Sequence, residues 1–153
     1  MVGTRATWRW IGAAAIALAL ASLMVPFAAG RRHEQPSRPG TVVSVLLDDF
    51  DVHRTTATAA SGTVRFQLVN NGPSTHEFIV VRTDRASGQL PLQRDGLTVD
   101  EEGPGVDWVD EAEGLDIGDR RTLTLDLAPG HYVLFCNMEG HYLGGMHAAF
   151  TVR

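Results

Sequence analysis

The amino-acid sequence predicts an all-β domain, an antiparallel β-sandwich, over residues 41–153. Short runs of alternating apolar and polar residues recur along this region, and β-branched residues are frequent in them. Gly, Pro and Asn separate the runs, and none of the runs has a strong helical period. Because six or seven short strands joined by turns bury their apolar faces most simply as two packed sheets, this pattern favours a sandwich.

Three strands are predicted in the first part of the domain, and a turn separates the second strand from the third. Residues 41–50 (TVVSVLLDDF) are rich in β-branched side chains, and residues 62–69 (GTVRFQLV) alternate Val, Phe and Leu with polar neighbours. The run Asn-Asn-Gly-Pro at 70–73 is a turn signal. Residues 76–83 (HEFIVVRT) then resume an apolar strand pattern, which places His76 at the entrance of a strand.

The remaining strands are predicted in the last quarter of the chain. Residues 120–127 alternate cleanly, Pro129 and Gly130 turn the chain, and residues 131–136 (HYVLFC) form the next strand. Residues 147–152 (HAAFTV) close the domain. The ten residues between these last two strands therefore form a loop held between strands that pack together.

The strand pattern fails between residues 95 and 119. Ten acidic residues occur in these twenty-five positions without one arginine. We predict a short helix or an irregular insertion here, with Trp108 as a packing anchor. The charge has two interpretations: it is a solvated face, or it is a docking patch for a basic electron partner.

The N-terminal thirty residues resemble an export signal or a membrane anchor. Arg5 and Arg9 precede a nineteen-residue apolar run, rich in Ala and Leu, at residues 11–29. A helix over this run is roughly 28 Å long, close to the hydrocarbon thickness of about 30 Å, so residues 1–30 are either a cleaved signal peptide or a membrane anchor. Residues 31–40 have the composition of a solvated linker. Either interpretation predicts an extracytoplasmic domain, periplasmic, cell-surface or secreted.

The charge of the domain argues against nucleic acid as a partner. Residues 41–153 contain eight arginines and seventeen acidic residues, and the chain contains no lysine, so the formal charge of the domain is −9. Such a surface repels a phosphate backbone.

The only cysteine of the chain indicates a copper site. Cys136, His141 and Met146 follow a C-x4-H-x4-M spacing, which places a thiolate, an imidazole and a thioether on one short loop. His76 is the best placed second imidazole, since it begins a strand just after a turn. Two imidazoles, one thiolate and a weak axial thioether are the ligand set of a blue-copper centre. A bound metal would also protect a lone exported thiol from oxidation.

The chain resembles the cupredoxin family over residues 41–153. The matching motifs are NNGPSTHEF around His76 and YVLFCNMEGHYLGGM at 132–146, and the loop spacing is similar to that of rusticyanin and auracyanin. The resemblance implies a Greek-key β-sandwich with one type 1 copper. It also implies that the ligands are the following four residues: His76, Cys136, His141 and Met146.

The resemblance further implies where electrons enter and leave. His141 would be partly exposed within an apolar patch formed by residues 142–145 (Tyr-Leu-Gly-Gly), and redox partners would dock near His141, Tyr142 and Leu143. One position departs from azurin-like members: Glu77 stands where they have an Asn or Ser that ties the two ligand loops together. We expect Asn137 to make that hydrogen bond instead.

Two functions follow from a lone copper site. The first is electron transfer between redox partners by a Cu(II)/Cu(I) centre. The second is copper handling without electron transfer, as a carrier, a buffer or an accessory protein of metal uptake or oxidase assembly. An enzyme is not expected, because the sequence has no H-x-H pair that could hold a second copper type. Four histidines are expected to have no ligand role: His33, His53, His131 and His147.

Overall fold

The computed structural model describes residues 40–153, which lie within one compact unit, Gln35–Arg153. The predicted signal peptide or anchor at 1–30 lies outside the described residues, as does the predicted linker apart from Gly40. Both stay predictions. Within residues 40–153, no helix combines the length and apolar character that a membrane span requires.

Most of the described residues belong to short strands. In chain order these are β1 (Thr41–Asp48), β2 (Asp51–Arg54), β3 (Thr58–Ala59), β4 (Gly62–Asn70), β5 (His76–Arg82), β6 (Asp107–Leu115), β7 (Arg120–Leu127), β8 (Gly130–Phe135) and β9 (His147–Val152). One short helix, α1 (His141–Gly144), precedes β9.

The strands form two sheets around a common core, so the predicted β-sandwich is confirmed. One sheet has the strand order β2-β1-β4-β7 and the other has the order β3-β9-β8-β5-β6. Most neighbouring strands are antiparallel, but β1 pairs in parallel with β4, and β3 with β9. A parallel pair needs a long crossover, and residues 49–61 provide it between β1 and β4 because they cross from one sheet to the other.

The core lies between the sheets and follows the period-two alternation of the sequence. In β4, Val64, Phe66 and Leu68 are buried while their neighbours face solvent. Phe66 reaches across the core, with its ring centroid 5.3 Å from that of Phe78 and 5.4 Å from that of Phe150. Phe78 and Phe150 belong to the opposite sheet, so this aromatic cluster joins the two sheets.

Strand pairing brings two distant parts of the chain to one end of the sandwich. β5 runs antiparallel to β8, and Ile79 lies opposite Phe135. The start of β5, at His76, and the residue after β8, Cys136, therefore share that end. β8 pairs in turn with β9, with Phe135 opposite His147, so the loop at 136–146 begins and ends there.

The acidic segment is organised more than its sequence indicated. Residues 107–115 form β6, an edge strand that pairs only with β5, so the expectation of a helix or irregular insertion is wrong for this half. Four of its nine residues are acidic, and its pairing with β5 shifts register at two places, so the strand lacks a regular alternation. Trp108 is 49% exposed on this edge, so its prediction as a packing anchor is also wrong.

Residues 84–106 remain irregular, but they carry a second apolar cluster. Leu90, Val99 and Val106 pack with Val81 of β5 and Phe135 of β8. This cluster covers the face of the second sheet that does not face the first sheet. Both faces of β5 are therefore buried, as its nearly continuous apolar sequence requires.

Four carboxylates crowd the β5–β6 region. Burial raises the pKa of Glu111, and the charges of Glu113 and Glu101 raise it further. Burial likewise raises the pKa of Glu77, again with help from Glu101 and Glu113. When a carboxyl has a higher pKa in the folded protein than in the unfolded chain, the folded state binds more protons between the two values. Stability is therefore lost as the pH rises through the pKa of the folded state.

The aromatic contact across the core gives the first prediction. We expect Phe66→Ala to lower the free energy of unfolding by about 3–5 kcal/mol, because it removes buried apolar surface and leaves a cavity between the sheets. Urea denaturation of the metal-free protein measures this change. Trp108→Ala is the matched control, and we expect it to cost about 1 kcal/mol or less because the side chain is half exposed. Equal losses for the two variants would contradict the assigned core.

The crowded carboxylates give the second prediction. We expect Glu111→Gln to stabilise the metal-free protein at pH 7 by up to about 1 kcal/mol, with the gain fading as the pH falls toward 4. Urea denaturation at several pH values measures it. Glu102→Gln is the control, since Glu102 is exposed and is not among the charges that act on Glu111. A gain that did not depend on pH, or that was the same in the control, would contradict this interpretation.

Candidate metal centre

The structure brings together three of the four predicted ligands. Nδ1 of His76 lies 4.0 Å from Sγ of Cys136, and Nδ1 of His141 lies 3.6 Å from the same sulfur. One donor atom from each of these residues falls within 4.8 Å of the other two. The two imidazole rings meet edge to face with centroids 5.2 Å apart. Two nitrogens and a thiol sulfur thus converge at one point, close enough to share one ion.

Met146, the fourth predicted ligand, is fully buried in the same apolar core as Cys136. Its backbone is fixed from two sides: its carbonyl accepts a hydrogen bond of 3.1 Å from the amide of Cys136, and its amide donates one of 3.0 Å to the carbonyl of His141. The loop is thereby closed on itself, and all three of its predicted ligands are linked through main-chain contacts.

Two glycines allow the loop to turn this tightly. Gly140 and Gly145 flank α1 with φ angles of 79° and 115°, in the left-handed region that other residues rarely adopt. Gly140 also donates to the carbonyl of Leu97 at 3.2 Å. His141 is therefore the first residue of a single helical turn that glycines begin and end.

The surroundings of Cys136 suit a metal-bound sulfur. The side chain is fully buried, and burial raises the pKa of its thiol. The amide of Glu77 donates to Sγ at 3.3 Å, which favours a negatively charged sulfur. A buried thiolate without a cation would be costly, so a metal ion that displaces the proton fits this position.

The imidazole of His76 is held in the form that binds metals. Burial lowers its pKa, and the positive charge of a protonated His141 would lower it further. The negative charges of Asp49 and Asp48 oppose this effect, but the pKa is lowered on balance, which favours the neutral ring that a metal ligand must have. Neutral imidazoles, a thiol and a thioether are soft or intermediate donors, and together they suit copper better than magnesium or calcium.

Asn137 has a different role from the expected one. Its side chain does not tie Cys136 to the segment of His76. Its Oδ1 accepts a hydrogen bond of 2.6 Å from the amide of Val99, and its Nδ2 donates to the carbonyl of Val99 at 3.1 Å and to Oε1 of Glu101 at 2.6 Å. The start of the loop is thus fastened to the irregular segment 84–106, whose position the sequence did not reveal.

Tyr142 does not belong to the predicted surface patch. Its side chain is buried, its hydroxyl donates to the carbonyl of Ser87 at 2.6 Å, and the amide of Leu90 donates to the same hydroxyl at 2.9 Å. The ring also packs against Phe135 at 5.7 Å. The irregular segment captures this side chain, while Leu143 stays exposed as expected.

Phe50 is a neighbour of the site that the sequence reasoning missed. It lies in the turn between β1 and β2 with a φ angle of 65°, and its ring is 49% exposed. The ring meets His141 edge to face at 5.6 Å and lies so close over Gly144 that a Cβ there would overlap it. The only signal in the sequence is an aromatic residue placed among aspartates.

The other described histidines lie outside this cluster. His131 is exposed, and His53 lies near Asp48 and Asp51 at the surface. His147 is half-buried against the ring of Tyr142, with centroids 5.0 Å apart.

Comparisons with known proteins agree with this geometry. The family model described as the sulfocyanin (SoxE) domain matches residues 55–153. Dithionite-reduced auracyanin from the photosynthetic bacterium Roseiflexus castenholzii has a similar structure, with a TM-score of 0.53 at 20% identity over 76% of this chain and 99% of that one. Auracyanin B gives 0.53 at 25% identity over 76% of this chain and 91% of its own.

An azurin from the obligate methylotroph Methylomonas sp. strain J has a TM-score of 0.51 at 13% identity, over 75% of this chain and 99% of that one. At such low identity the likeness shows the fold alone. A search of curated proteins found no match.

The family match covers well over half of the chain, and the convergent cluster of imidazoles and thiol lies within it. Family and donor chemistry agree on one type 1 copper site per chain. The chain therefore belongs to the sulfocyanin domain family, and with it to the cupredoxins.

Proposed function

We propose that this protein is an electron carrier whose single copper is held by His76, Cys136, His141 and Met146. The observation that carries the proposal is the convergence of two imidazole Nδ1 atoms on one buried thiol, at 4.0 and 3.6 Å. Copper bound there supplies a one-electron couple between Cu(II) and Cu(I). The role of the chain is to hold the ligands in nearly one arrangement for both oxidation states.

The fastening of the loop supports a rigid site. Main-chain hydrogen bonds link Cys136, His141 and Met146 to one another, and the side chain of Asn137 ties the loop to the segment beside it. Side chains held in this way move little when the charge of the ion changes. A small rearrangement lowers the barrier to electron exchange, so this rigidity favours a carrier of electrons.

The burial of the site argues against the alternative, a carrier or buffer of copper. His76, Cys136 and Met146 are all fully buried, and only His141 is partly exposed. A protein that hands over its copper must let a second set of ligands reach the ion. Here a partner could reach the site only at the imidazole of His141. One exposed ligand is enough for the transfer of an electron, but it does not give a second set of ligands access to the ion.

His141 is the proposed route for the electron, and partners are proposed to dock around it. Phe50, 49% exposed, contacts His141 edge to face, and Leu143, 51% exposed, lies two residues further along α1, so both offer apolar surface to a partner. Tyr142 is buried and does not form part of this surface, but the hydrogen bonds of its hydroxyl anchor the loop that carries His141. A shallow apolar contact of this kind suits a transient complex, in which the redox partner must leave after each transfer.

We also propose that the domain works outside the cytoplasm. The support is the apolar run at 11–29 behind two arginines, together with a single thiol that a bound metal protects. Whether this run is removed or remains as an anchor follows from the mass of the mature protein.

Removal of the thiol tests the proposed centre. We expect the full chain loaded with copper to show an intense visible absorption from thiolate-to-copper charge transfer, and Cys136→Ser to abolish it. Absorption and EPR spectra measure the change, and circular dichroism of both metal-free forms checks that the fold is kept. An unchanged visible band in Cys136→Ser, or a colourless wild-type protein with Cu(II) bound, would overturn the assignment.

Removal of the thioether tests the axial position. We expect Met146→Leu to keep copper and to raise the reduction potential, because a weak axial donor stabilises Cu(II) more than Cu(I). Cyclic voltammetry measures the potential. Met138→Leu is the matched control, since Met138 is a half-buried methionine of the same loop outside the proposed ligand set, and its potential should stay near the wild-type value. A lower potential in Met146→Leu, or equal shifts in both variants, would contradict the axial role.

A further inference from the structure

The turn between β1 and β2 directs a carboxylate at the buried side of the site. Oδ1 of Asp49 lies 3.2 Å from Nε2 of His76, the ring nitrogen that faces away from Cys136. The side chain of Asp49 is 25% exposed, whereas that of His76 is fully buried. Among the described residues, this carboxylate is the one acidic group within salt-bridge distance of the ring. It lies between the buried imidazole and the solvent.

The carboxylate is fixed in place by the segment that leads into β5. The amide of Ser74 donates to Oδ1 of Asp49 at 3.3 Å, and the hydroxyl of Ser74 donates to Oδ2 at 3.0 Å. Two hydrogen bonds from Ser74 therefore hold the carboxylate of Asp49 in this orientation.

Gly72 provides the space for this contact. A Cβ at this position would lie 2.6 Å from Nε2 of His76 and 2.8 Å from Oδ1 of Asp49, far inside contact distance. The backbone of Gly72 therefore packs directly against Nε2 of His76 and the carboxylate of Asp49. No side chain fits between the ring and the carboxylate.

This arrangement selects one tautomer of the imidazole. A neutral imidazole carries one proton, on either Nδ1 or Nε2. A lone pair on Nε2 would face the negative oxygen of Asp49, whereas an N–H there is attracted to it. The contact of 3.2 Å does not have the geometry of a hydrogen bond and is therefore mainly electrostatic, and Nε2 has no hydrogen-bond partner in the described structure. The carboxylate therefore favours the tautomer with the proton on Nε2, which leaves the lone pair of Nδ1 on the side of Cys136.

We propose that Asp49 is a positioning residue, which holds His76 in the Nε2–H tautomer and lowers the reduction potential of the centre through its negative charge. The inference rests on the proposed ligation by His76. Partners of a metal-bound imidazole at its second nitrogen commonly set ring orientation and ligand basicity. A negative charge next to a ligand also stabilises the more positive, oxidised ion over the reduced one.

The test compares two aspartates of the same turn in the full chain. We expect Asp49→Asn to shift the potential upward in cyclic voltammetry and to weaken copper binding by about 10–100-fold in competition with a chelator. Asp51→Asn is the matched control: it removes the same charge one residue beyond Phe50, from a side chain that contacts His53 instead. We expect its potential and affinity to stay close to the wild-type values. Equal shifts in the two variants would overturn the proposal, because they would reflect net charge alone.

A measurement without copper separates this inference from the proposed function. Nitrogen-15 NMR of the metal-free protein at pH 7 should report His76 protonated on Nε2, and Asp49→Asn should increase the share of the Nδ1–H form. Ser74→Ala, which keeps the charge but removes one anchor of the carboxylate, should have a smaller effect in the same direction. If wild-type His76 is already mainly Nδ1–H, or if Asp49→Asn leaves its tautomer unchanged, the inference fails. A colourless wild-type protein with copper bound would contradict the proposed function, independently of which tautomer His76 adopts.

Discussion

The hydrogen-bonded ladder of β5, β8 and β9 is the constraint on which the site depends. Its register places the start of β5, the end of β8 and the start of β9 at one end of the sandwich. His76 and Cys136, sixty positions apart in the chain, meet only because of this pairing. A shift of one residue in the β5–β8 register would turn alternate side chains to the other face and separate the imidazole from the thiol. The aromatic contacts of Phe66 hold this sheet against the other one, so the core and the site share one framework.

Much of the fold and of the site could be predicted because local sequence patterns indicate it. The alternation in β4 and β7 and the apolar run of β5 reveal strands directly, and the Cys136–Met146 spacing places three donors on one loop. His76 could be paired with them because it follows a turn and begins a strand. These inferences need only the period of the strand and the chemistry of the donors.

The errors have a common physical origin, which is long-range contact without a local signal. The alternation of β6 is interrupted where its pairing with the distant strand β5 shifts register. Tyr142 turns inward because Ser87 and Leu90 supply partners for its hydroxyl, and Asn137 bonds Val99 for a similar reason. All of these contacts involve the irregular segment 84–106, whose sequence does not indicate which sheet face it covers. The positions of Asp49 and Phe50 likewise depend on how the turn after β1 folds over the loop.

The charged edge at β6 has a consequence for how the protein behaves in concentrated solution. An open edge presents unpaired amide and carbonyl groups to which a strand of another molecule can add. Here two copies that met edge to edge would bring Asp110, Glu111 and Glu113 of each chain together in a low-dielectric contact. The repulsion opposes self-association through this edge, so the excess of acidic side chains on β6 disfavours edge-to-edge pairing of two molecules. The burial and crowding of carboxylates lower the stability of the folded domain, since they raise the pKa of Glu77 and of Glu111. The same charges disfavour the association of two molecules through β6.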